Sequence, residues 1–251
     1  MGGHVARNAH PEAAKRNGTS FDALVVDEGQ DFAPTWWTAL QLLLDQPDTG
    51  PFNVFADTVQ AIYRPDWAAP FIGLDYELSV NCRNTLPIAQ RVASAFDSRC
   101  SSLGAAGPDP HLCLTDGPGD LWDALKSALH RVLVVGRLRP PQVAVLSTSR
   151  QFIRAAQARG VGPHRLVPAD AADANSIVAE TVHRFKGLEA DAVILVVPES
   201  DPDTKKLLYI GLSRARAYLE LICPYAVASS IGWRDQMPLR TDPAPGPHNV
   251  P

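Results

Sequence analysis

Short apolar runs that stop on a charged residue recur along this sequence, with helix-period stretches between them. Residues 21–26 form the first such run and close on Asp27 and Glu28, which predicts a fully buried parallel strand delivering two carboxylates at its C-terminal end. Pro34 then opens a helix whose apolar positions Trp36, Trp37, Leu40, Leu43 and Leu44 share one face. Residues 52–56 read as the next strand, again ending on a carboxylate, Asp57. A third strand is predicted over 76–80, followed by a helix capped by Thr85 and running through Ile88, Val92 and Phe96. The Gly, Pro, Ser and Asp of residues 98–118 mark a linker or surface insertion. Beyond it, Leu121, Leu125, Leu129 and Val132 repeat at helical spacing. Strands are predicted over 142–147, 177–182, 192–197 and 218–223, with helices over 150–159, ended by Gly160, and over 204–215. Such alternation defines an α/β protein.

Composition narrows the class. With 251 residues and 45% hydrophobic positions the chain has material for one to two cores. A formal net charge of -4 excludes a polybasic protein held to nucleic acid by bulk charge, though a local basic groove is compatible with it. Cys82, Cys100, Cys113 and Cys223 show no C-x-x-C pairing and are expected to be free thiols rather than zinc ligands. Residues 1–20 hold Arg7, Lys15 and Arg16 without a signal-peptide core, and no run reaches membrane-span length. A cytoplasmic protein without membrane association is expected. The Pro-rich residues 238–251 are expected to be a disordered tail.

Five segments carry candidate chemistry. In Asp27-Glu28-Gly29-Gln30-Asp31 a first carboxylate suits Mg²⁺ and a second suits polarising a water, whereas the bland reading is a strand-end turn with solvated acids. Gln60 lies three residues past Asp57, where its amide suits a terminal phosphate; Tyr63 and Trp67 follow as aromatics on which bases could stack or which simply pack. Arg83, and Arg214 in Gly211-Leu212-Ser213-Arg214-Ala215-Arg216, suit transferring phosphoryl oxygens, although either taken alone is more often a surface salt-bridging residue. In His183-Arg184-Phe185-Lys186-Gly187-Leu188-Glu189, Gly187 permits an unusual backbone turn and Glu189 can accept ribose hydroxyls. His183 has no partner at metal spacing.

The order of these segments over residues 21–223 resembles motifs II to VI of the UvrD/Rep/PcrA-like superfamily 1 helicases, and the layout is also similar to NERD-type nuclease-related helicases. The resemblance implies a RecA-like P-loop NTPase fold, with a truncated first RecA-like domain over 21–97 and a complete second one over 119–237. It implies ATP and Mg²⁺ as cofactors and single-stranded DNA as partner, in a motor of DNA repair or recombination. Asp27 would hold Mg²⁺, Glu28 would activate water, and Gln60 with Asp57 would meet the nucleotide phosphates. Arg83 and Arg214 would be arginine fingers, groups worth on the order of 10³ to 10⁵ in rate. Gly187 and Glu189 would meet phosphate and ribose, while Tyr63, Trp67, Thr181 and His183 would touch the DNA strand.

Three departures stand out. Cys82 occupies the position where the family places an aromatic that stacks on adenine, and Trp67 sits two positions later than the family tryptophan. The Gly-Lys-Ser/Thr of a phosphate loop is also missing, since none of Lys15, Lys126, Lys186, Lys205 and Lys206 follows a glycine. The expectation is a motor portion parted from its lysine loop by a gene break, a misplaced start or a separate upstream polypeptide, and inactive by itself. The alternative is a non-hydrolysing, helicase-like module that binds nucleic acid or protein.

Overall fold

The computed structural model describes residues 20–57, 60, 67–68, 73, 75–96, 101–199, 201 and 204–233. Residues 1–19 and 238–251, and with them the expected tail, lie outside the described residues, as does Tyr63. The chain divides into two compact units, Met1–Glu77 and Leu78–Pro251. The Arg83 segment therefore belongs with the second unit rather than with residues 21–77.

In the first unit, β1 (Leu24–Val26) and β2 (Phe52–Val54) pair in parallel, with Val26 opposite Val54. Between them α1 (Pro34–Gln41) starts at a proline, whose fixed φ suits the first helical turn. Its Trp37 is 5% exposed and packs tilted on Phe32, with ring centroids 5.1 Å apart, and edge-on to Phe52 at 6.1 Å. The first strand is shorter than its apolar run and is not fully buried. Only Val26 is enclosed, while Val25 is 66% exposed, because a two-stranded sheet covers one face and leaves the alternate side chains uncovered.

The second unit begins with β3 (Val80–Asn81), α2 (Leu86–Phe96) and β4 (Ser101–Ser102), with β3 and β4 paired in parallel. The strand expected over 76–80 is reduced to this short piece, and Tyr76 and Leu78 are exposed. There follow β5 (His111–Thr115), α3 (Pro118–His130), β6 (Val143–Ser147), α4 (Arg150–Arg159), β7 (Arg165–Val167), β8 (Ser176–Thr181), β9 (Ala190–Val196), α5 (Thr204–Leu212), β10 (Ala215–Pro224) and α6 (Tyr225–Ser230). Six of these strands form one parallel sheet in the order β5-β10-β9-β6-β8-β7. This is an α/β fold built on a six-stranded parallel sheet.

The sheet is covered on both faces, which explains why its strands are continuous apolar runs rather than alternating ones. On one face Val143, Val145, Ile177, Ala192 and Ile194 pack with Leu121, Leu125 and Leu129 of α3 and Phe152 and Ile153 of α4. On the other face α5 lies so close to β9 that a Cβ at Gly211 would stand 2.9 Å from Leu195 Cδ2. Residues 111–115, which glycine and proline placed in a linker, are instead an outer strand of this sheet, paired to β10. The helix from Thr204 stops at Leu212, three residues short of the predicted end, because the chain turns at Ser213 and Arg214 into β10.

Candidate functional site

In the first unit the end of β1 turns sharply. Glu28 adopts left-handed backbone angles, φ 54° and ψ 41°, a conformation disfavoured for a residue with a Cβ by about 1 kcal/mol or more. Its N–H donates to Asp27 Oδ1 at 2.9 Å. Gly29 follows because nothing larger fits: a Cβ there would come within 2.4 Å of Val54 Cγ1. Gln30, fully buried, donates to Glu28 Oε2 at 2.6 Å and accepts from the Asp57 N–H at 3.0 Å, tying the ends of β1 and β2 together. Gln60 donates to Asp57 Oδ2 at 2.7 Å. The first unit thus gathers Asp27, Glu28, Gln30, Asp57 and Gln60 beyond the C-terminal ends of two parallel strands, where open α/β sheets take ligands.

Asp27 is exposed, and its hard oxygen donor suits Mg²⁺, an ion usually held by one or two carboxylates together with substrate phosphates. Among the described residues no group of three or more His, Cys, Asp and Glu gathers as a metal cage. The donor set fits an ion shared with a nucleotide better than a site closed by protein alone.

The second unit brings together residues far apart in sequence at the beginnings of β9 and β10. Arg83 Nε lies 3.1 Å from Glu189 Oε2, and Arg216 Nε lies 3.7 Å from Glu189 Oε1. Arg216 also reaches Asp191 at 3.5 Å. Arg214, just before β10, is 3% exposed, and its Nε donates to the Ile210 carbonyl at 3.1 Å. Asn84, 3% exposed, donates to the carbonyls on either side of Arg214, those of Ser213 at 3.2 Å and Ala215 at 2.5 Å.

Thr181, the last residue of β8, and His183, just past its C-terminal end, stand elsewhere. Residues 182–189 return from that end to the start of β9 without a regular helix, passing through Gly187 at φ 81°, a left-handed conformation that glycine takes without strain. Thr181 is buried and His183 half-buried. Trp67 is half-buried, and its indole N–H has no hydrogen-bond partner among the described residues.

The sequence segments contained Gln30, Asn84 and Arg216 without assigning them roles, and Asp191 lay just outside them. Their signal is weak, because a Gln or Asn in a turn looks the same whether it faces water or a distant carbonyl. A buried group away from both clusters was missed as well. Glu220 on β10 is fully buried, takes the Arg131 guanidinium on both oxygens, accepts from Tyr218 Oη at 2.8 Å and lies 3.5 Å from His111 Nδ1. Burial would raise its carboxyl, but the His111 imidazole and the Arg131 guanidinium outweigh it and hold the pKa below the ordinary value. The same burial and the Glu220 charge push the Tyr218 phenol upward.

The second unit thus joins a parallel sheet covered on both faces to a cluster of arginines and acids where β9 and β10 begin. Residues 176–222, running from β8 into β10, match the family model of the UvrD-like helicase C-terminal domain. Among solved structures the chain is similar to the C-terminal domain of a possible DNA helicase from Lactobacillus plantarum WCFS1, with 21% identity, 61% of this chain and 94% of that one covered, and a TM-score of 0.48. It is also similar to the PRRSV helicase, with 14% identity, 82% of this chain covered and a TM-score of 0.46. The arterivirus nonstructural protein 10 helicase gives 14% identity, 86% of this chain covered and a TM-score of 0.46. The chain spans 36% and 42% of the length of those two viral helicases. A comparison with curated proteins finds no match.

Proposed function

We propose that this chain is part of an ATP-driven motor on single-stranded DNA, of the kind used in repair or recombination. The observation that carries the reading is the meeting of Arg83, Glu189 and Arg216 in the second unit, each from a different motif segment. A guanidinium fork matches phosphate oxygens, and an exposed ion pair exchanges partners at little cost. Arg83 would turn from Glu189 to a terminal phosphate, freeing Glu189 for ribose hydroxyls. Asp27 would hold Mg²⁺, which supplies charge neutralisation on the phosphates when bound. Glu28, Asp57 and Gln60 would order water and phosphate, with Gln30 fixing their spacing. Thr181 and His183, with Tyr63 and Trp67, would meet the DNA strand.

The β- and γ-phosphate lysine has no Gly-Lys-Ser/Thr counterpart in these 251 residues, so it would come from another polypeptide or segment. The chain by itself is accordingly expected to show no DNA-stimulated phosphate release. Clear turnover abolished by Glu28→Gln would contradict this need for a second part. The nucleotide assignment is tested by phenylglyoxal modification of arginines, mapped by mass spectrometry. Mg-ATP is expected to slow modification of Arg83, and equal rates with and without it would sink the assignment.

The non-hydrolysing alternative has one observation in its favour, the 3% exposure of Arg214 with its Nε turned onto the Ile210 carbonyl of the preceding helix. Under that reading single-stranded DNA binds but Mg-ATP gives Arg83 no protection.

A further inference from the structure

We infer that Asn84 is a positioning residue, whose side-chain amide fixes the Arg83 turn against the Arg214 turn and so sets the spacing of these arginines. Every polar atom of that amide is used. The two N–H groups of Nδ2 go to the carbonyls of Ser213 and Ala215, which straddle Arg214, and Oδ1 accepts from Asn81 Nδ2 at 2.7 Å. Asn81 Oδ1 in turn accepts the N–H groups of Arg83 at 3.0 Å and Asn84 at 3.1 Å, closing an Asx-type turn around Arg83. The Thr85 N–H donates to the Arg216 carbonyl at 2.9 Å. The turn is enclosed from a further side as well, because a Cβ at Gly104 would fall 2.0 Å from the Asn84 carbonyl oxygen. Only an amide has two donors in one plane to span two carbonyls while also accepting a bond. A buried carbonyl deprived of its donor is left unsatisfied at a cost in free energy, which makes the strap stiff.

Among the described residues, Arg83 is anchored through its own exposed ion pair with Glu189 and through this turn. Loss of the amide would leave the guanidinium attached to a backbone free to shift, and the Arg83–Glu189 contact would loosen although neither residue had changed. A phosphate-directed role for the two arginines rests on the function proposed above; the strap itself does not.

The test uses the full chain and the Nε–H signal of Arg83 in nitrogen-15 NMR. In the wild type, Glu189→Gln is expected to shift that signal. In an Asn84→Ala background the shift is expected to be lost, while the methyl signals of Ile194 and Leu208 in the core stay in place. An equal shift in both backgrounds would overturn the inference and leave Asn84 as a bond of the fold alone. Should Asn84→Ala not fold, Asn84→Ser, which keeps one donor, carries the same comparison; a shift cut to about half is expected, and an undiminished shift overturns the inference. No nucleotide enters this readout. Failure of Mg-ATP to protect Arg83 would count against the motor reading and leave the Asn84 comparison standing.

Discussion

Glu189 and Glu220 show how differently two carboxylates of one unit behave. Glu189 is paired with Arg83 and Arg216 in partly exposed surroundings, with side-chain exposures of 44%, 48% and 54%. Water screens such pairs, so Arg83→Ala is expected to change the free energy of unfolding in urea by less than about 1 kcal/mol. Glu220 is fully buried beneath Arg131, Tyr218 and His111. Glu220→Gln, which leaves a charged partner without its counterion, is expected to cost about 3 kcal/mol in the same measurement. Because the folded pKa of Glu220 is lowered from 4.5, its contribution is fully present above that pH and lost as pH falls through the lower folded value. Below pH 4.5 the wild type should therefore lose stability faster than Glu220→Gln; parallel acid limbs would show that the charge is not held as described.

At this scale the legible residues were those whose chemistry is announced by a change in pattern. Asp27 and Glu28 end an apolar run, and Asp57 ends another. Asn84 was not legible, since Asn-Cys-Arg-Asn reads as a solvated turn until Ser213 and Ala215, 129 and 131 residues away, supply its acceptors.

Among the elements, α4 was read to the residue because both its ends are written locally. Ser149 Oγ accepts the Phe152 N–H at 3.2 Å, and Gly160 closes the helix at φ 66°. Thr85 stands in the same relation to α2, yet its buried hydroxyl has no hydrogen-bond partner among the described residues. The two positions should respond oppositely. Ser149→Ala is expected to cost about 1 kcal/mol of unfolding free energy, whereas Thr85→Val should be neutral or stabilising. Equal losses at both would show that the hydroxyls play the same part. The outer strand β5 escaped prediction because His111–Thr115 is short and set among glycines and prolines; its strand character comes from β10 beside it. Conversely, the run over 21–26 promised more burial than a two-stranded sheet provides, and Val25 remains exposed.

For the molecule as a whole, the second unit has its own sheet and its own core, with the helices α3, α4 and α5 closing it. A chain beginning at Leu78 should therefore keep a single cooperative urea transition with the slope expected for its buried area. A gradual loss of structure would deny it independent folding. Among the described residues no helix is long and apolar enough to cross a membrane. The α/β class, the parallel sheet and the order of segments were all legible, because buried parallel strands leave continuous apolar runs in the sequence. The gathering of Arg83, Glu189 and Arg216 at the N-terminal ends of β9 and β10 was not, since strand-end reasoning points to the opposite edge of a sheet.

A motor differs from a binding module in coupling its nucleotide to its strand. The direct measurement is fluorescence anisotropy of a labelled single-stranded oligonucleotide with the full chain at fixed salt, with and without a non-hydrolysable Mg-ATP analogue. The affinity for the strand is expected to change several-fold on adding nucleotide, and Arg83→Ala is expected to abolish the change while leaving nucleotide-free binding intact. A strand affinity that is the same with and without nucleotide in the wild-type chain would contradict the account.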